Sequence, residues 1–94
     1  MNNRFELTDF INVRTVDTTT SNLVARFQAR RKEMKISRKA LSDLSNVSYA
    51  SIRRFEEDGE ISLASLMKLA KAMDMLKDFD KLFVDTKVTS IKDL

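Results

Sequence analysis

The stretch SNVSYASIRRFEEDG, Ser45 to Gly59, decides how this chain folds. Ile52 and Phe55 lie three residues apart, so they share one face of a helix, with Val47 just ahead of them. Ala50, Arg53, Arg54 and Glu57 form a stripe on the other face. Gly59, the only glycine in the chain, ends the helix, because a residue without a Cβ turns left-handed at little cost. What the arginine face does is left open at this level. Surface arginines are common on solvated helices, and the same face suits a polyanion.

Working outward, Ser48 caps this helix and Asn46 tolerates the left-handed backbone that ends the one before it. That earlier helix is RKALSDLS, Arg38 to Ser45, capped by Ser37 and sending Ala40, Leu41 and Leu44 to a core. A first helix is predicted after Ser21 as N-cap, with Leu23, Val24, Phe27 and Met34 inward, Arg26, Arg30 and Lys32 outward, and Lys35 at its end. Beyond Gly59, Ser62 caps LASLMKLAKAM, where Leu63, Leu66, Met67, Leu69, Ala70 and Met73 repeat with helical period. A last short helix, LKDFDKLF, carries Leu76, Phe79, Leu82 and Phe83, and Ser90 can cap a final turn in the tail. Residues 10–16 are rich in β-branched side chains and read as a short extended segment. A lone strand needs a partner, from the C-terminal arm or a second copy of the chain; fraying is the plainer alternative.

Composition narrows the function. Ninety-four residues with 43% hydrophobic side chains suit one domain with a modest core. With no proline and one glycine, tight turns are few, which argues against an all-β fold. The chain has no cysteine and no histidine, so disulfides, most zinc sites and the Ser-His and Cys-His nucleophiles are excluded. No enzyme and no cofactor is expected. The start lacks a signal peptide, and no apolar run approaches the ~20 residues of a membrane span. The reading is a soluble, cytoplasmic protein. Residues 20–57 carry nine Lys/Arg against four Asp/Glu, a net of +5, while each flank is at −1. A localised basic patch is the footprint of a nucleic-acid partner, although solubility alone also loads helix surfaces with Lys and Arg. The acidic run EEDGE, Glu56 to Glu60, reads as a helix terminus, since no glycine-punctuated calcium loop surrounds it. The methionines near the fourth helix read as core.

A short helix, a turn of three residues, Asn46-Val47-Ser48, and a second helix with an exposed basic stripe describe a helix-turn-helix. Here Phe27–Phe83 resembles the lambda-repressor-like, Xre-type helix-turn-helix family. The family form "lSq..lA...gvS...isr.E.G" is matched by ISRKALSDLSNVSYASIRRFEEDGEISLASLMKLA, Ile36 to Ala70. Two positions depart from it: Arg38 stands where glutamine is common, and Asn46 where the turn glycine is common. The expected architecture is all-α, five helices over residues 20–83, an N-terminal arm over 1–19 and a tail over 84–94.

The resemblance implies roles. Ser48, Tyr49, Ala50 and Arg54 correspond to base-facing positions, with Arg54 suited to guanine O6 and N7. Arg38, Lys39, Ser51 and Arg53 correspond to backbone-phosphate contacts. Arg31 and Glu56 match a structural ion pair between the first and third helices. The segment GEISL, the ending FDKLF, the flank FINVRT and the tail SIKDL resemble the HipB-like branch. That branch implies repression of its own operon and an antitoxin role beside a HipA-like kinase toxin, while the few base pairs that one short helix can read point to a homodimer on palindromic double-stranded DNA. A phage or mobile-element repressor would read nearly the same. So would a protein-interaction module of the same fold, with the acidic half after Gly59, near Phe79 and Phe83, as its docking face.

Overall fold

The computed structural model describes residues 14–86. They form four α-helices, α1 (Val16–Glu33), α2 (Arg38–Ser45), α3 (Tyr49–Asp58) and α4 (Leu63–Ala72), and a closing 3-10 helix (Leu76–Lys81). Among the described residues there is no strand, so the architecture is all-helical with five helical elements. The extended segment expected at 10–16 lies mostly outside the described residues, as do the tail cap at Ser90 and any strand pairing across a dimer. Val16, its last residue, is helical.

The start of α1 corrects the sequence reading. Its N-cap is Thr15, not Ser21. The Thr15 hydroxyl accepts from the Thr18 N–H at 3.0 Å, and the Thr18 hydroxyl accepts from the Thr15 N–H at 3.1 Å. This is a capping box with threonine in the place usually held by Glu or Gln. Asp17 in the first turn adds a charge that the helix dipole favours. The β-branched run had suggested strand, but propensity is a weak prior and a reciprocal cap outweighs it. Residues 16–19, read as part of an arm, are therefore helical.

One cluster makes the core: Val24 from α1, Leu41 from α2, Val47 from the turn, Ile52 and Phe55 from α3, and Leu69 and Met73 from the end of α4. Each fully buried aliphatic or aromatic side chain contributes about 1.5–3 kcal/mol. Phe27 meets Phe55 edge to face, with ring centroids 5.1 Å apart. α2 packs on both α3 and α4, α1 on α3, and the 3-10 helix on α4. Several expected core residues are outside this cluster. In α2 the buried stripe runs through Leu41 and Ser45, and Leu44, to one side of it, is 64% exposed. Leu23, Met34, Leu63, Leu76 and Leu82 are also exposed, and Phe83 is 99% exposed. The helix expected over LKDFDKLF is a 3-10 helix that closes at Lys81, so Leu82 and Phe83 lie beyond its end, Phe83 in a left-handed conformation (φ 61°).

Gly59 does what its place demands. It ends α3 at φ 76°, and its N–H donates to the Phe55 carbonyl at 2.9 Å. A Cβ there would meet the Thr20 methyl at 2.7 Å, so the turn after α3 presses directly on α1. A side chain at this position is disfavoured twice, by the strain of the left-handed backbone and by the crowding against Thr20.

Candidate nucleic-acid interface

The turn between α2 and α3 is built from serines. Asn46 adopts φ 64°, and its N–H closes on the Ser42 carbonyl at 2.9 Å. The Ser42 hydroxyl donates to the Val47 carbonyl at 2.7 Å, and the Val47 N–H donates to the Ser45 hydroxyl at 3.1 Å. Both backbone polar groups of Val47 are thus satisfied while its side chain sits in the core. Ser48 then caps α3, accepting from the Ser51 N–H at 3.0 Å and donating to the Ser51 hydroxyl at 2.9 Å. Ser42 and Ser45 were missed as turn-forming residues. Their only trace in the sequence is serine placed just before the turn, a weak signal.

This turn fixes the direction of α3. Ile52 and Phe55 are buried, which turns the opposite face outward. Ser48, Tyr49, Ala50, Arg53 and Arg54 are exposed, Ser51 is half-buried, and Lys39 on α2 is exposed. Arg53 stands 3.6 Å from Glu57, one turn on. Arg54 donates through Nε and Nη2 to one oxygen of Glu60, at 3.1 and 2.9 Å. The sequence reading did not anticipate this partner, because the contact crosses a helix end where periodicity carries no signal.

Beneath the face lies a charged network. Glu56, on α3, is buried, and its carboxylate faces Arg31 of α1. Arg31 donates through Nε at 2.7 Å and Nη2 at 2.9 Å to the two oxygens, and through Nη1 to the Ile36 carbonyl at 2.9 Å. Gln28 adds a hydrogen bond at 3.2 Å and the Arg38 Nε another at 2.8 Å. Burial works to raise the Glu56 pKa, but the hydrogen bonds from Arg31, Arg38 and Gln28 and the Arg31 charge hold it below its ordinary value. α1, the start of α2 and α3 are locked together at one carboxylate.

Arg38 is the residue whose surroundings differ most from the sequence reading. Expected at the DNA backbone, its half-buried guanidinium is tied inward to Glu56, with Glu57 at 3.7 Å. The hydrogen bond to Glu56 raises its pKa against the cost of burial, with a smaller contribution from the Tyr49 phenol. Glutamine in this place would bring a neutral donor; arginine brings a second cation to a buried anion.

Among the described residues, no cluster of His, Cys, Asp or Glu could hold a metal, and no helix is long and apolar enough to cross a membrane. A tight turn between two short helices, the second offering a capped and largely exposed outer face with Arg53 and Arg54, is a helix-turn-helix, the fold class of DNA-binding transcription regulators. The helix-turn-helix family model matches residues 27–77, more than half of the chain. The chain belongs to the helix-turn-helix family, of the Xre, lambda-repressor-like type. No curated protein and no solved structure matches it.

Proposed function

We propose that this chain is a sequence-specific transcriptional repressor that binds a palindromic operator as a homodimer. The observation that supports it most is the division of α3: Ile52 and Phe55 buried on one side, Tyr49, Ala50 and Arg54 exposed on the other. In this reading the N-terminal half of α3 enters the major groove. Arg54 takes a guanine, Ala50 a thymine methyl, and Tyr49 the groove edge or a phosphate. Lys39, Ser51 and Arg53 hold phosphates, as does whatever part of Arg38 is not committed to Glu56. One short helix reads few base pairs, so two copies a helical turn apart supply the rest of the specificity.

The HipB-like segments GEISL and FDKLF extend the proposal. On that resemblance the protein acts in the cytoplasm at the nucleoid, represses its own operon, and serves as antitoxin to a HipA-like kinase. A second reading, a module that binds a partner protein without DNA function, is favoured by the exposed run Leu82, Phe83 and Val84.

Fluorescence anisotropy separates the two. The full chain is titrated against labelled DNA from upstream of its own gene and against scrambled DNA, at two salt concentrations. Tight, salt-weakened binding to the native fragment supports the repressor. Equally weak binding to both fragments supports the interaction module.

A further inference from the structure

Arg54 is not a bare cation on the exposed face of α3. Its Nε and Nη2 both donate to Oε1 of Glu60. Glu60 follows Gly59, whose left-handed turn brings the chain back beside α3. Arg54 and Glu60 border a shallow hollow lined by Ser51, Ile61, Ser62 and Ser65. Both side chains are open to solvent, at 65% and 63% exposure.

A guanidinium has two edges that offer parallel donors. The side edge carries the Nε and Nη2 hydrogens, and the end edge carries one hydrogen from each Nη. Glu60 occupies the side edge. The end edge has no partner among the described residues. That edge is a parallel pair of donors able to meet O6 and N7 of a guanine together. We infer, on the reading of α3 as the DNA-facing helix, that Glu60 is a positioning residue for base readout: its carboxylate steers the Arg54 guanidinium by the side edge and presents the end edge to a guanine. Glu60 also discourages phosphate at this point, because a second anion would meet its charge. Arg54 is thereby kept for a base rather than for the backbone.

The test starts from a duplex pool with a randomised centre, from which the full chain selects its preferred site. Affinities of wild type, Glu60→Gln, Arg54→Ala and the double variant are then measured on the preferred duplex, on one with the Arg54-dependent guanine replaced, and on random DNA. Glu60→Gln removes a negative charge, so binding to random DNA holds or strengthens. The ratio of preferred to base-replaced affinity falls by about 3- to 10-fold, a part of a full bidentate contact. In the Arg54→Ala background the same change leaves the ratio within a factor of about 2, since uncoupled sites act independently. Melting temperatures of all variants are measured alongside, and Glu60→Asp, which keeps the charge, recovers part of the ratio.

Equal strengthening by Glu60→Gln on every duplex, with the ratio unchanged, overturns the inference and leaves Glu60 as a simple repulsive charge. So does a selected site at which Arg54→Ala changes no base preference. If wild type shows no salt-dependent binding to any duplex, the DNA-facing reading of α3 fails first, before the variants are compared, and Glu60 loses this role with it.

Discussion

Three arginines among the described residues grip a glutamate with Nε and Nη2, and the two whose pairs involve α3, Arg31 and Arg54, do so in opposite surroundings. Arg31 and Glu56 have side chains only 8% and 0% exposed, and their pair joins α1 to α3. Arg54 and Glu60 have side chains 65% and 63% exposed, and their pair bridges the end of α3 to the following turn. The closest contacts are similar, 2.7 Å and 2.9 Å. Burial makes the difference. An exposed pair is worth about 0–1 kcal/mol and can be shared or exchanged. Removing one partner of a buried pair strands a charge and costs about 3–5 kcal/mol. One helix therefore carries an ion pair that holds the fold and another that is free to answer a ligand.

The comparison breaks most severely at the buried end. Glu56→Ala leaves Arg31 and Arg38 without their shared anion. It is expected to destabilise the domain by about 3–5 kcal/mol in chemical denaturation. A loss below about 1 kcal/mol, the range of an exposed pair, would erase the distinction. The same carboxylate gives a signature with pH. Folding depresses its pKa. Its contribution to stability is therefore complete above the unfolded value of about 4.3 and is lost as pH falls through the lower folded value. Wild-type melting temperature should drop on acidification through that window, and Glu56→Gln should drop less. Glu33, lowered by its hydrogen bond from Arg30 at the surface, is present in both proteins and sets the background.

Arg38 stands between the two pairs. Arg38→Ala removes a charged hydrogen bond to Glu56, so a stability loss of about 1.5–3 kcal/mol is expected. If its remaining donors also hold a phosphate, the logarithmic salt dependence of DNA binding flattens by about one unit. Stability loss without that flattening assigns Arg38 to the fold alone.

At the exposed end, Arg54→Ala is expected to cost about 1–3 kcal/mol of discrimination at one base. Its melting temperature should hardly move, with a stability change within about 0.5 kcal/mol. Equal loss on specific and random DNA would make Arg54 a phosphate contact rather than a reader.

The legible parts of this fold were those written in local chemistry. Ser37, Ser48 and Ser62 each cap a helix by accepting an N–H three residues on, a bond made within one turn. Asn46 and Gly59 take the left-handed conformations that few residues tolerate. Thr15 escaped because a threonine run carries strand propensity as well as cap chemistry. Leu44 and Phe83 escaped because apolar character does not say which side of a short helix a neighbour will cover. On α3 the split between the Ile52 and Arg54 faces followed from helical period. The partners of its charges did not. Glu56 collects donors from Gln28, Arg31 and Arg38, and Glu60 reaches back to Arg54, in contacts that run between helices or across a helix end, where helical period carries no signal. The Arg31–Glu56 pair was anticipated from family resemblance, not from spacing.

The most direct measurement is a nitrogen-15 chemical-shift titration of the full chain with its preferred duplex. The account predicts the largest changes at the amides of Tyr49, Ala50 and Ser51 and in the Arg54 side chain, while the Arg31 Nε signal stays in place. Changes centred on Leu76 to Val84, with Tyr49 to Arg54 unmoved, would contradict it and turn that face of α3 back to solvent.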